Sequence, residues 1–214
     1  MLQTGDPRLA DLPRWDGTHA LVWAAPGWAG ATPEFGGTIL RKLPGATQLP
    51  EPLSARYDAV ALLGVLSHVA NPTSWLHAAR AALRPGAVLL LVEELEGPLE
   101  PAAALHREIR RLVRAEAGGG EAEWPPLRRF QLGSIIQGLG LGDYGFSPWM
   151  PPNSMEVAAA NPQLTQERDA LERLAQASTS GARRDEASAL LRRLETERPA
   201  WGPVMRVWGI APAQ

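Results

Sequence analysis

There is no cysteine anywhere in the 214 residues, which excludes disulfides, thiolate metal ligands and thiol nucleophiles together. Lysine is almost missing too. Lys42 is the one example, and the other cations are arginines that alternate with Glu and Asp instead of clustering. With a net charge of −2, the chain gives no electrostatic case for nucleic acid or an anionic membrane. The four histidines, His19, His68, His77 and His106, share no metal-ligand spacing, so no metal site is expected. No apolar run reaches membrane-spanning length, and the N-terminus lacks a charged-then-apolar signal pattern. A soluble cytoplasmic protein is the expectation. No serine lies in a nucleophile-elbow pattern, so a hydrolase is unsupported. Phe and Tyr are scarce, at three and two, and eight tryptophans carry most of the aromatic area.

What is present is concentrated between Tyr57 and Glu93. Ala59–Leu66 is apolar on both alternate faces, as in strands covered on both sides. Asn71 stands where an N-cap belongs, and Pro72 follows at the first helical position, where its missing N–H costs nothing. Trp75, Leu76, Ala79, Ala82 and Leu83 then recur at helical spacing. Pro85-Gly86 reads as the helix stop, and Ala87–Val92 as a second buried strand ending on Glu93-Glu94. Strand, capped helix and strand make a right-handed α/β crossover.

These residues resemble the fourth strand, following helix and fifth strand of class I S-adenosylmethionine-dependent methyltransferases. The likeness is carried by Tyr57-Asp58-Ala59-Val60, Leu66-Ser67-His68, Asn71-Pro72 and Leu83-Arg84-Pro85-Gly86. The resemblance implies an α/β fold: a reduced, doubly wound, Rossmann-like methyltransferase-type sheet with helices on both faces and an antiparallel last strand. It extends from about Ala20 to Ala211 and implies a single domain. Residues 1–19 would be a surface extension, 20–97 the sheet-forming half, 98–200 a helical or lid half and 201–214 the final strand.

The cofactor contacts that the resemblance implies are largely missing. The acidic, glycine-rich loop after strand one falls on Trp23-Ala24-Ala25-Pro26-Gly27-Trp28-Ala29, where Trp23 replaces the acid and Trp28 adds an indole. Gly45 stands where an Asp would read the adenine. Between Gly27 and Asp58 there is room for about one strand–helix unit fewer than the family uses. Glu34 and Glu51 are the acids left there to hold a ribose. Each lost charged contact removes about 1.5–3 kcal/mol. If the cofactor does bind, Ala25, Gly27, Ala29, Gly64 and Leu66 would line its site, and His68 would be the catalytic candidate. His68 reads either as a general base beyond a strand end or as a cap of the loop before Asn71. Glu93-Glu94 reads as a loop anchor or an acid/base dyad.

The remaining segments are simpler. Ala20–Ala25 suits a first strand, and Thr38–Leu43 a strand or helical turn. Gly118–Pro126 suits a flexible loop or lid hinge. Helical spacing appears at Leu105, Ile109, Leu112 and Val113, with His106 and the arginines on the polar faces; His77 is likewise placed on a polar face. Phe130–Leu141 reads as a helix, Asp143–Trp149 as a strand, Thr165–Glu197 as two amphipathic helices broken near Ser178–Gly181, and Val204–Ile210 as a closing strand. Trp15, Trp28, Trp124, Trp149 and Trp201 fall in loops or turns, as interface anchors or as lids over the protein's own core. Two functions fit. One is a non-catalytic binding or structural subunit without cofactor, associating with itself or a protein partner through the loop tryptophans or the 165–197 helices. The other is a small-molecule methyltransferase with an atypical S-adenosylmethionine pocket.

Overall fold

The computed structural model describes residues 7–9, 12, 15–17, 19–25, 28, 33, 35, 37–42, 55–69, 71–95, 99–116, 129–150, 162–200 and 202–213. The chain forms two compact units. The first comprises Met1–Glu96, Ala122–Trp149 and Val204–Gln214, and the second Gly97–Glu121 and Met150–Pro203. The Gly118–Pro126 hinge expectation lies outside the described residues.

The first unit holds a six-stranded sheet built from β1 (His19–Ala24), β2 (Thr38–Lys42), β3 (Tyr57–Leu63), β4 (Leu83–Glu94), β5 (Gly142–Trp149) and β6 (Val204–Ile210). The strand order is β2-β1-β3-β4-β6-β5. The first four strands run parallel, while β6 pairs antiparallel with both β4 and β5. This is the reduced, doubly wound, methyltransferase-type sheet with antiparallel last strands that the resemblance implies. The strand matched to the family's fourth is the third here, so one strand fewer precedes it among the described residues.

Strand alternation divides the core. Leu21, Trp23, Val60, Leu62, Leu89, Leu91, Met205 and Val207 face one side, where they meet Trp75, Leu76, Ala79 and Ala82 of α1 (Pro72–Ala82) and Ile136 of α3 (Arg129–Gly138). Trp23, at the position of the missing acid, packs edge-on against Trp75 with ring centroids 5.2 Å apart. The opposite face is lined by small residues, Ala20, Ala24, Ala59 and Ala61, with Val22, Leu63, Leu90 and Val92. Its cover comes from Leu9 in a 3-10 turn (Pro7–Leu9) and from Trp15, Trp28, Phe35 and Trp208. Small floor residues leave depth that large rings fill at interior packing density. Among the described residues of the N-terminal stretch, Arg8 and Leu9 are buried, and Trp15 is half-buried against Phe35 and Trp208.

Local signals set the element ends. The Asn71 side chain accepts the Ser74 N–H at 3.2 Å, and Pro72 opens α1. The helix ends at Ala82, because Leu83 is already extended. Pro85-Gly86 is thus not a turn between helix and strand. It lies in a bulge of β4, where the register passes from Tyr57↔Leu83 to Ala59↔Val88 and Gly86 takes φ +76°. The expected strand Ala59–Leu66 ends early, at Leu63, because Gly64 turns left-handed at φ +64°.

The second unit contains α2 (Pro101–Glu116), α4 (Pro162–Ala177) and α5 (Gly181–Thr196), packed through Leu105, Ile109, Leu112, Leu171, Leu174, Ala187 and Leu190. His77 is exposed, but His106 is not: it is fully buried, with Nε2 3.0 Å from Glu167 Oε2. Helices α4 and α5 both pack on α2, so a single face of α2 cannot supply all the contact and its flank is buried as well. The Arg168–Glu172 pair does lie on an exposed face at i,i+4, while the half-buried Arg193 pairs with both Glu197 and Glu108 of α2.

The cap gives a test of the crossover. Asn71→Ala should lower unfolding stability by about 1 kcal/mol and Asn71→Gly by only a few tenths. Urea denaturation of both variants checks this, and an Asn71→Ala variant as stable as the wild type would mean the side-chain cap contributes nothing.

Candidate functional site

In an open parallel sheet, ligands bind beyond the carboxyl ends of the strands where the winding direction reverses. Here the chain passes from β1 to β2 on one side, and β3 lies on the other side of β1. The switch point is therefore between β1 and β3. Ala25 and Gly64, two of the residues expected to line a cofactor site, sit at these strand ends.

The crevice holds the indole of Trp28. This ring is 1% exposed and belongs to the buried cluster of Leu9, Ala25, Leu63 and Val92. Its backbone N–H donates to the Ala25 carbonyl at 2.7 Å, turning the chain back over the strand end. Gly64 abuts the pyrrole edge of the ring, at Nε1 and Cδ1. A Cβ added there would lie 2.6 Å from Trp28 Cδ1 and closer still to Nε1, so only a residue without a side chain lets the indole in. Above the ring is Arg8, whose guanidinium carbon stands 3.5 Å from the ring centroid and which is itself 2% exposed. A guanidinium stacked on a desolvated indole is a cation–π contact of about 2 kcal/mol. The indole Nε1–H finds no acceptor among the described residues.

The polar backbone groups around the crevice are occupied internally. The Ala25 N–H donates to Leu63 O at 2.9 Å, and the Gly64 N–H to Val92 O at 2.8 Å. The Leu66 N–H donates to the buried Glu93 carboxylate at 2.8 Å. Glu93 is accordingly a loop anchor: it holds the turn after β3 from the end of β4. His68 is half-buried in that turn, where its N–H closes on Val65 O at 2.9 Å and the Ser67 hydroxyl donates to Gly64 O at 3.2 Å. The structure thus brings Ala25, Gly64, Leu66 and His68 to one end of the sheet. Gly27, Ala29, Glu34, Gly45 and Glu51 lie outside the described residues, as do Trp124 and Trp201. Among the described residues, no group of three or more His, Asp or Glu side chains could hold a metal ion, and no helix is long and apolar enough to cross a membrane.

Two features were hidden from sequence reasoning. Trp28 is legible as an indole in a loop, but nothing in its neighbours says that it turns inward. Arg8 has no local signal at all, because its partner lies twenty positions away and meets it only through the fold.

No protein-family model and no curated protein sequence matches the chain. Several solved structures are similar to it at low identity. One is phosphoethanolamine N-methyltransferase 2 of Haemonchus contortus, with phosphomonomethylethanolamine and S-adenosylhomocysteine bound: 15% identity, TM-score 0.47, covering 97% of this chain and 51% of that one. The chain therefore spans about half the length of that protein. YcgJ of Bacillus subtilis is 12% identical with a TM-score of 0.48, over 92% of this chain and 93% of that one. A Haloferax volcanii protein in complex with the Trm112 methyltransferase activator is 12% identical with a TM-score of 0.48, over 96% and 87%. At these values the similarity assigns no activity.

The indole's seat has a direct mutational test. Gly64→Ala should cost about 1–3 kcal/mol for overpacking plus about 1–2 kcal/mol for a left-handed non-glycine residue. In a Trp28→Ala background only the second part should persist. Equal costs in both backgrounds, measured by urea unfolding, would place the ring elsewhere.

Proposed function

We propose that this protein is a non-catalytic relative of the methyltransferase fold, a binding or structural subunit in which the protein's own indole fills the cofactor crevice. The observation that carries the proposal is the seat of Trp28 at the β1/β3 switch point, with Gly64 at its pyrrole edge and Arg8 over its face. A nucleoside entering there must first expel the ring. Losing the contacts of a buried tryptophan costs about 3–5 kcal/mol, which weakens any competing ligand by about two to four powers of ten. Trp23 and Gly45 offer no acid to recover that loss.

The sheet is retained on this reading because it is a rigid scaffold. His68 is assigned to its turn and carries no catalytic step. Of the loop tryptophans, Trp15, Trp28 and Trp149 pack on the first unit's own core, so the exposed charged faces of α4 and α5 are the better candidates for meeting a partner or a second copy.

Titration calorimetry with S-adenosylmethionine and S-adenosylhomocysteine should give no heat of binding at millimolar ligand, and light scattering should detect stable self- or hetero-association. Micromolar affinity for either nucleoside would end the proposal in favour of a methyltransferase with an atypical pocket.

A further inference from the structure

The seat of Trp28 has the parts of a ligand site, with the ligand supplied by the chain itself. We propose that the β1/β3 crevice is a latent site for a flat, uncharged aromatic ring, with Trp28 as its resident occupant and Arg8 as the stacking partner. The proposal rests on the reading above, in which the crevice is filled.

Three independent observations converge on it. First, the location is where an open α/β sheet leaves a cleft that its strands cannot close themselves. Second, the surroundings are specific to a planar π system. Gly64 leaves room at the ring's pyrrole edge, Ala25, Leu63 and Val92 give apolar walls, and the Arg8 guanidinium carbon stands 3.5 Å from the ring centroid. A buried guanidinium prefers a π face to an aliphatic surface, because the ring quadrupole replaces part of the hydration lost on burial. Third, the indole is an imperfect tenant. Its Nε1–H is buried with no acceptor among the described residues, next to the Gly64 backbone. A ring of the same shape that presents no donor at that point would fit the same walls without an orphaned N–H.

The chemical class follows. The site takes a bicyclic or similar flat aromatic ring, neutral, since a cation would meet Arg8 and an anion would have to be buried among the apolar walls. Trp28 reaches the crevice from a loop, and Arg8 from a segment twenty positions earlier. Occupancy by the indole is thus a contact between two loop elements laid over a rigid sheet end. An outside ring competes with that contact and not with the sheet.

Trp28→Gly, in the full-length chain, should open the space without adding a side chain. Free indole at millimolar concentration should then raise the variant's melting temperature by about 2–4 °C through mass action and leave the wild type unmoved. Adding Arg8→Ala to that variant should weaken indole binding by about 3- to 30-fold. Benzofuran, an isostere without the N–H, should bind the variant at least as tightly as indole. No stabilisation of Trp28→Gly by either ring would overturn the proposal, as would an Arg8→Ala change without effect.

If Trp28→Gly does not fold, fluorine NMR of wild type labelled with 5-fluorotryptophan gives a second reading. The Trp28 resonance, identified by its loss in Trp28→Phe, should shift on Arg8→Ala. An unmoved resonance would also overturn the proposal. Binding of S-adenosylmethionine to the intact protein would remove the non-catalytic reading while leaving the indole titration to report on the crevice by itself.

Discussion

A parallel sheet that winds in both directions leaves a gap at the ends of the two strands where the winding reverses, and something must occupy it. In this protein the occupant is an indole. The consequences run outward from that one contact. Gly64 must lack a side chain, the chain after β1 must turn back through the Trp28–Ala25 hydrogen bond, and Arg8 must be buried far from water. Burying an arginine is costly, and the ring face beneath Arg8 offsets part of that cost. Arg8 and Leu9 are therefore part of the core, although the stretch around them has the composition of a surface loop.

The same constraint organises the whole second face of the sheet. Alanines at 20, 24, 59 and 61 keep the floor low, and Trp15, Phe35, Trp28 and Trp208 build the cover from single side chains. The first face follows the ordinary pattern: α1 and α3 lie on longer side chains, and Trp23 serves as packing against Trp75 in place of the absent acid.

Much of the fold was legible because its signals are local. The crossover from Tyr57 to Glu94 could be read from an apolar run, an Asn-Pro cap and helical spacing, and Val204–Ile210 from simple alternation. Where sequence reading failed, the deciding partner was distant in sequence. Pro85-Gly86 looks like a helix stop, but the helix had already ended and β3 pairs across the Pro-Gly bulge. His106 looks exposed on one helix, yet Glu167 of another helix buries it. Arg8 and Trp28 each read as loop residues, and only the closed sheet brings them together. Trp28 was legible as an indole in the turn after β1; that it fills the crevice was not.

The central claim is that the indole stays seated over Gly64 whatever nucleoside is offered. Proton NMR on the wild-type protein tests this most directly, because a ring packed on a glycine shifts that residue's Hα signals by its ring current and gives cross-peaks between the two. The account predicts strongly displaced Gly64 Hα resonances with cross-peaks to the Trp28 ring, unchanged by millimolar S-adenosylmethionine. Ordinary glycine shifts without those cross-peaks, or their loss on adding the nucleoside, would contradict it.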